Sequence, residues 1–377
     1  MRLEAPLPPE ALAAIREPFL KAGGAVLDAP LLQPLGLLLD LAGEGLRERL
    51  FGVQGEGGPE SCLRPDFTIP AMRAHIASAA PCGRYFYEGN AFRVAPPGSS
   101  RAEEFLQIGL EAFEAGEAWR ADAEMAAMAW RAASAGGRTD LTLVLGDVGL
   151  FSAFIHAVGI ADPLAGRLKR AFASPRRLQA ELAAALGDAV SVPRGDSRLA
   201  AVLSGLSEDA AVGVLEEIWA LSGIVPVGGR EPREIVHRLA GRAALPGAPR
   251  LSANQAGLIQ AYLAIADRPQ AALAQIADLA SSADLAGALA AWGQRLDALA
   301  QAGAPPEAMS FSAAFSRAFG YYDGALFEVR SAALDEDQPL AAGGRYDGLP
   351  AQLGARLETG AVGCMVRPGR AWAGAGS

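Results

Sequence analysis

The stretch FLQIGLEAF, Phe105 to Phe113, limits the possible folds more than any other part of the chain. Strand side chains alternate between two faces, so Leu106, Ile108 and Leu110 share one side, and Phe105, Gln107, Gly109, Glu111 and Phe113 the other. The apolar triplet predicts the core side. The opposite side carries an amide and a carboxylate separated by a glycine, which opens space there. Burying Glu111 unpaired would be costly, so the gap is expected to hold a cation or water, unless this is an ordinary solvated sheet face. The preceding RYFYEGNAFRV, Arg84 to Val94, has the same period and aromatic enrichment, and predicts a second strand. The loop between them, APPGSSRA, is long for a hairpin and contains two prolines and a glycine, as functional loops often do.

Around this pair the pattern divides the chain. Pro9 to Ala22 reads as a helix, with Pro9 in its first turn and Gly23-Gly24 closing it. AVLDAPLLQP reads as a strand running into a Pro-limited segment, Glu117 to Gly136 as a helix, and LTLVLGDVGLF as a buried strand with a turn. Between residues 162 and 305 one Ala/Leu helix follows another, among them LQAELAAALGD, AAVGVLEEIWALSG, REIVHRLAGRAA and LAGALAAWGQRLDALAQAG. Strand-like segments return after Pro306 in YYDGALFEVRS, followed by the turn-rich AAGGRYDGLP. The predicted class is α+β: an antiparallel sheet with flanking helices, built from 1–161 and 306–377 and interrupted by an all-α insertion at 162–305.

Bulk properties exclude several function classes. With 377 residues and a net charge of −9, the chain offers no overall attraction to nucleic acid, and no local basic run compensates. Cys62, Cys82 and Cys364 are odd in number and far apart, as are His75, His156 and His237, so neither a disulfide framework nor a metal site is expected. The N-terminus MRLEAPLPPE is unlike a signal peptide. No apolar run reaches the ~18 residues of a membrane span. A cytoplasmic protein without cofactor is the expectation.

Four segments carry groups suited to binding. Besides Gln107 and Glu111, CLRPDFTIP holds Asp66 and Thr68, which would point together in an extended segment. GYYDGALFEV places Tyr321 and Tyr322 before a turn and a strand. In AAGGRYDGLP, paired glycines would let backbone approach a ligand beside the hydroxyl of Tyr346. Arg93 ends the first aromatic strand. Carboxylates hold an ammonium and an imidazole N–H, and an arginine holds a carboxylate, so the inventory suits a zwitterion with a polar side chain.

LRPDFTIPAMR, RYFYEGNAFR, FLQIGLEAF, YYDGALFEV and GGRYDGL, in that order, resemble the signatures of histidyl-tRNA synthetase, a class II synthetase. The resemblance implies a histidine pocket formed by Asp66 (more often Glu in that family), Thr68, Arg93, Gln107, Glu111, Tyr321, Tyr322 and Tyr346. Counting back from YYDG places Arg317 at a catalytic arginine of the family. It also exposes departures. Ala95 and Pro96 stand where an adenine-reading Glu and a following Arg are usual, and Glu103 replaces a basic residue. In AVGCMVRPGRAW, Arg367 matches an adenine-stacking arginine, but Val366 replaces an acid and Pro368 would disrupt a continuing helix.

The sequence stops soon after that motif, where synthetases continue into an anticodon-binding domain. A retained histidine pocket with altered nucleotide motifs is similar to the regulatory subunits of ATP phosphoribosyltransferase. That resemblance implies a non-catalytic partner of the short-form catalytic subunit, conveying feedback by histidine in the first step of histidine biosynthesis. It further implies a homodimer within a hetero-oligomer, and binding of neither nucleic acid nor membrane. Two other functions fit the same residues: a synthetase-like enzyme that adenylates histidine or another amino acid, and a structural assembly partner with a vestigial pocket.

Overall fold

The strand pair at Arg84–Val94 and Glu104–Glu114 lies within a much wider sheet. A computed structural model describes residues 2–374 except 5, 43, 56–57, 59, 100, 187–205, 223–232, 234–235, 237–249, 318 and 357–358. Its strands are β1 (Ala25–Val26), β2 (Leu32–Pro34), β3 (Gly52–Val53), β4 (Ser61–Leu63), β5 (Gly83–Phe92), β6 (Glu104–Glu114), β7 (Leu141–Asp147), β8 (Ala266–Asp267), β9 (Met309–Ser312), β10 (Ala325–Ser331), β11 (Ala341–Arg345) and β12 (Gly360–Val366). Among the described residues nine strands form one sheet in the order β1-β5-β6-β12-β11-β10-β7-β9-β8, and β2-β4-β3 form a small second one. The large sheet is antiparallel except where β1 joins β5 and β7 joins β9.

The helices in chain order are α1 (Pro9–Ala22), α2 (Leu35–Ala42), α3 (Thr68–Ser78), α4 (Ala118–Ser134), α5 (Val148–Ala157), α6 (Leu164–Ala171), α7 (Pro175–Leu186), α8 (Glu208–Ser222), α9 (Ala253–Leu263), α10 (Pro269–Leu279), α11 (Ala283–Gln301), α12 (Leu349–Gln352) and α13 (Pro368–Ala371). Helix α1 begins with proline at N1 and ends where Gly23 takes a φ of 72°, which glycine adopts without strain. Helix α4 sets a stripe of alanines and methionines against β11, β12 and β10, while Ile15 and Phe19 of α1 beside it join Ile108, Leu110 and Ala112 of β6 in the same core. Alanine-rich stripes let helix and sheet approach closely, and the cluster continues through Phe151, Leu164, Leu178, Ile259 and Trp292. Helices α6, α7, α9, α10 and α11 therefore share the core beneath the sheet, and β8 from the same span pairs with β9. A small separate cluster joins Ala211 and Leu215 of α8 to Val236. Most of the predicted helix REIVHRLAGRAA, His237 included, lies outside the described residues.

Several local expectations are corrected. The run VGLF does not extend the strand after Gly146. Asp147 ends β7 and caps α5, its side chain accepting from the Leu150 backbone N–H at 3.0 Å. AVLDAPLLQP is strand only at Ala25–Val26 and Leu32–Pro34. AAGGR is strand β11 and not a turn. Pro368 opens the short α13 at N1, where its missing N–H is harmless.

Candidate functional site

The second face of β6 is as deeply buried as the first: Gln107 is 1 % and Glu111 2 % exposed. The solvated-face expectation fails because this side has its own cover. Leu38 and Leu39 of α2, Ile69 and Met72 of α3, and the aromatic rings of Phe319, Tyr321 and Tyr346 close over Phe113. Neither a cation nor water is needed to fill the gap at Gly109. Tyr87 stands opposite Gly109 in the β5–β6 register, and its hydroxyl occupies the space that a Cβ at Gly109 would take. On the other side Gly363 of β12 pairs with Glu111, and a Cβ there would overlap the Glu111 carboxylate. A glycine on each side of a bulky polar residue thus makes the pocket floor.

Glu111 is held by three hydroxyls. Thr68 donates to its Oε1 at 2.8 Å, Tyr87 to the same oxygen at 3.4 Å, and Tyr346 to Oε2. Burial nevertheless dominates, pushing the carboxyl up to about 7, and the nearby Asp66 charge adds to the rise while the Tyr346 and Thr68 bonds oppose it. Asp66 is likewise raised by burial, against the pull of Arg93. Asp66 and Thr68 do not lie in an extended segment: Thr68 is the first residue of α3, and Asp66 stands two residues before it. The helix start brings both into the pocket.

The tyrosines arrive through two turns locked together. Asp323 accepts from the Asp347 and Gly348 backbone N–H groups at 3.0 and 2.7 Å, and Asp347 accepts from the Ala361 N–H at 2.7 Å. This sets Tyr321 4.7 Å from Tyr322 and 5.9 Å from Tyr346, ring centre to ring centre. The hydroxyl of Tyr321 lies 3.5 Å from Asp66 Oδ2. The paired glycines of β11 do not open backbone to a ligand. Gly343 packs on Phe327 and Gly363, and Gly344 on Ala325 and Leu326.

Arg93 follows β5, donates from Nε to the Pro65 carbonyl at 2.9 Å, and lies 5.1 Å from the Phe319 ring centre. Arg317 pairs with Glu328 at 2.8 Å and lies 5.6 Å from the Tyr322 ring. Asp66, Thr68, Glu111, Tyr321, Tyr322 and Tyr346 therefore form one buried polar cluster, with Gln107 further along the same face of β6, Arg317 against Tyr322 and Arg93 against Phe319. Asp66 Oδ1 and Gln107 Oε1 are buried there without a hydrogen-bond partner. Buried polar atoms are nearly always satisfied, so a carboxylate oxygen and an amide oxygen left without partners on the face of β6 that carries Glu111 suit a donor-rich, cationic ligand group. Tyr87 is a pocket residue that sequence reasoning missed. Its signal is the alternation Tyr85-Tyr87, which becomes informative only once the strand register places it opposite Gly109.

A family model described as histidyl-tRNA synthetase matches residues 9–224 and 210–368. The chain is 34% identical over 345 residues to the ATP phosphoribosyltransferase regulatory subunit of Brucella anthropi, covering 90% of each chain. It is 37% identical over 334 residues to that of Brucella ovis, covering 88% of each. The chain belongs to the family of ATP phosphoribosyltransferase regulatory subunits. Among solved structures, one from Bacillus halodurans C described as an ATP phosphoribosyltransferase regulatory subunit/histidyl-tRNA synthetase superposes with a TM-score of 0.62 at 21% identity, covering 97% of this chain and 78% of that one. Histidyl-tRNA synthetase from Nostoc sp. PCC 7120 does so with 0.58 at 14% identity, covering 96% and 69%. The fold of this family member is thus that of a class II synthetase, as the five ordered segments imply.

Proposed function

We propose that this chain activates a short-form ATP phosphoribosyltransferase catalytic subunit and senses histidine in the pocket of Asp66, Thr68, Gln107, Glu111, Tyr321, Tyr322 and Tyr346. Arg93 and Arg317 would supply the cationic edge for its carboxylate. The observation that carries this is the pair of orphaned buried acceptors, Asp66 Oδ1 near Glu111 and Gln107 Oε1 further along the same face of β6. A histidine ammonium and imidazole N–H supply the donors these atoms lack. Family membership supplies the regulatory role, and Ala95 and Pro96, where the synthetase resemblance places adenine-reading residues, argue against adenylation. Histidine would act by favouring one of two assembly states, with a coupling typically of ~1 to 3 kcal/mol. A homodimer within a hetero-oligomer, acting in the cytoplasm in the first step of histidine biosynthesis, completes the proposal. Among the described residues no helix is long and apolar enough to cross a membrane.

The test is the phosphoribosyltransferase rate of the short catalytic subunit with and without this chain, across a histidine titration. The rate is expected to rise on addition and to fall with histidine. No change in rate, together with no co-elution of the two chains, would overturn the regulatory role. Glu111→Ala is expected to lower histidine affinity in calorimetry, and unchanged affinity would remove the pocket from consideration.

A further inference from the structure

The connection between α6 and α7 concentrates positive charge in a chain whose net charge is −9. RLKRAFASPRR, Arg167 to Arg177, carries five cations in eleven residues, and residues 163–180 hold no Asp or Glu. As a sequence it is too short a run for a polyphosphate partner. Folded, it becomes one corner. Only residues 172–174 separate the two helices, which pack on each other, so the last turn of α6 meets the first turn of α7. Leu164, Leu168, Phe172, Leu178 and Leu182 are buried in the core beneath it, so the corner is firmly seated. Arg170, Arg176 and Arg177 are exposed on it.

The fold by itself does not account for these charges. Lys169 and Arg170 stand in the last turn of α6, where the helix dipole favours a cation. Arg167 pairs with Glu181 of α7 at 3.4 Å. Arg176 and Arg177, however, stand in the first turn of α7, at the positive end of its dipole, where acids stabilise and cations do the opposite. Arg170, Arg176 and Arg177 have no carboxylate within 4.0 Å among the described residues. Three exposed arginines, two of them set against their own helix, are explained by an acidic surface that covers them. Lys169 is half-buried and lies close enough to Asp323 to oppose the burial that raises its carboxyl. The corner therefore borders the turn lock that carries Tyr346.

The chemistry of the partner follows from what else the corner offers. A polyphosphate would be repelled by the chain as a whole, and Phe172, the one aromatic of the stretch, is buried and cannot stack on a base. A membrane surface would need exposed apolar side chains beside the cations, and the leucines here are buried. Carboxylates match guanidinium groups through paired N–H···O bonds, and charges of this kind speed and orient docking between proteins. We infer that the α6–α7 corner docks a carboxylate-rich protein surface through Arg170, Arg176 and Arg177. Resting on the function proposed above, that surface belongs to the catalytic subunit.

The test is biolayer interferometry on the full chain with the short-form catalytic subunit as analyte, over a range of salt. Arg170→Glu, Arg176→Glu and Arg177→Glu together alter exposed side chains only and should fold, and the corresponding glutamine triple variant repeats the test without added acid. Association with the glutamate variant is expected to slow about tenfold, and its rate to lose most of the parent's salt dependence. Arg268→Glu, an exposed charge at the start of α10, should leave it unchanged. A rate equal to the parent's in both triple variants would overturn the inference, even with activation of the catalytic subunit intact. Where the catalytic subunit binds neither parent nor variant, the proposed function fails and poly-L-glutamate decides the surface. Binding lost in the triple variants then keeps the inference, and equal or absent binding overturns it. An oligonucleotide that the corner binds more tightly than poly-L-glutamate of equal charge would make the partner a nucleic acid, and overturn it as well.

Discussion

Glu111 is the residue on which the pocket turns, and its protonation sets two expectations. Its ordinary value is 4.5 and burial raises it to about 7. The unfolded chain therefore releases this proton near pH 4.5, whereas the folded chain keeps it until about pH 7. The contribution of Glu111 to stability is complete below the lower value and is lost as pH rises through the upper one, a change of ~3 kcal/mol. Urea unfolding from pH 5 to 8 should show stability falling with pH, and Glu111→Gln should flatten most of that slope. Asp66, raised in the same direction, accounts for the residue that remains. A slope as steep in Glu111→Gln as in the parent would show that Glu111 titrates normally. An ammonium needs the ionised carboxylate, so histidine affinity should instead climb from pH 6 to 8, by about tenfold. Calorimetry in buffers of differing ionisation enthalpy would register the released proton, and its absence would place the ligand away from Glu111.

The elements carry their own consequences, and α5 is the clearest. Asp147 accepts from the Leu150 N–H at 3.0 Å and from the Trp292 indole N–H of α11 at 2.8 Å, so one carboxylate caps a helix and pins another. Asp147→Ala is expected to cost about 1–3 kcal/mol in chemical denaturation, and Asp147→Asn somewhat less, because its one amide oxygen keeps one of the two bonds while its NH2 meets the other N–H donor. Equal losses in both would mean that the cap and the Trp292 anchor hold only when both oxygens accept. The sequence shows the limits of its own patterning here. Glu104–Glu114 is legible as strand β6 residue for residue, because its side chains alternate in kind, and α1 is legible from its proline and glycine ends. LTLVLGDVGLF is not, since an unbroken apolar run has no period to tell strand from helix, and the only clue to the change at Asp147 is its capping side chain. The pocket residues are legible as a set only through five ordered segments. Their burial is not, because the cover over Glu111 comes from α2, α3 and the loop around Phe319, and no local pattern announces a lid supplied from elsewhere.

Across the whole molecule, the sheet and the helical layer beneath it are joined by one buried charge cluster. Asp122 of α4 accepts from Arg295 of α11 at 2.7 and 3.0 Å through Oδ2, and from Arg345 of β11 at 2.8 Å through Oδ1. The three side chains come from three distant parts of the chain and are all nearly excluded from solvent. Arg345 also reaches Asp347 at 2.9 Å and immediately precedes Tyr346, whose hydroxyl holds Glu111. Such a cluster adds little net stability over an apolar equivalent, but removing one member strands the others. Asp122→Ala leaves two buried guanidinium groups facing each other and is expected to cost about 3–5 kcal/mol. Asp122→Leu combined with Arg295→Met and Arg345→Met should recover much of that loss. Hydrogen exchange distinguishes this clasp from ordinary packing: in Asp122→Ala the amides of α11 and β11 should lose protection together, while those of α1 and β5 keep theirs. If α11 alone loosens, the cluster does not join helix to sheet, and Tyr346 owes its position to the Asp323–Asp347 turn lock instead.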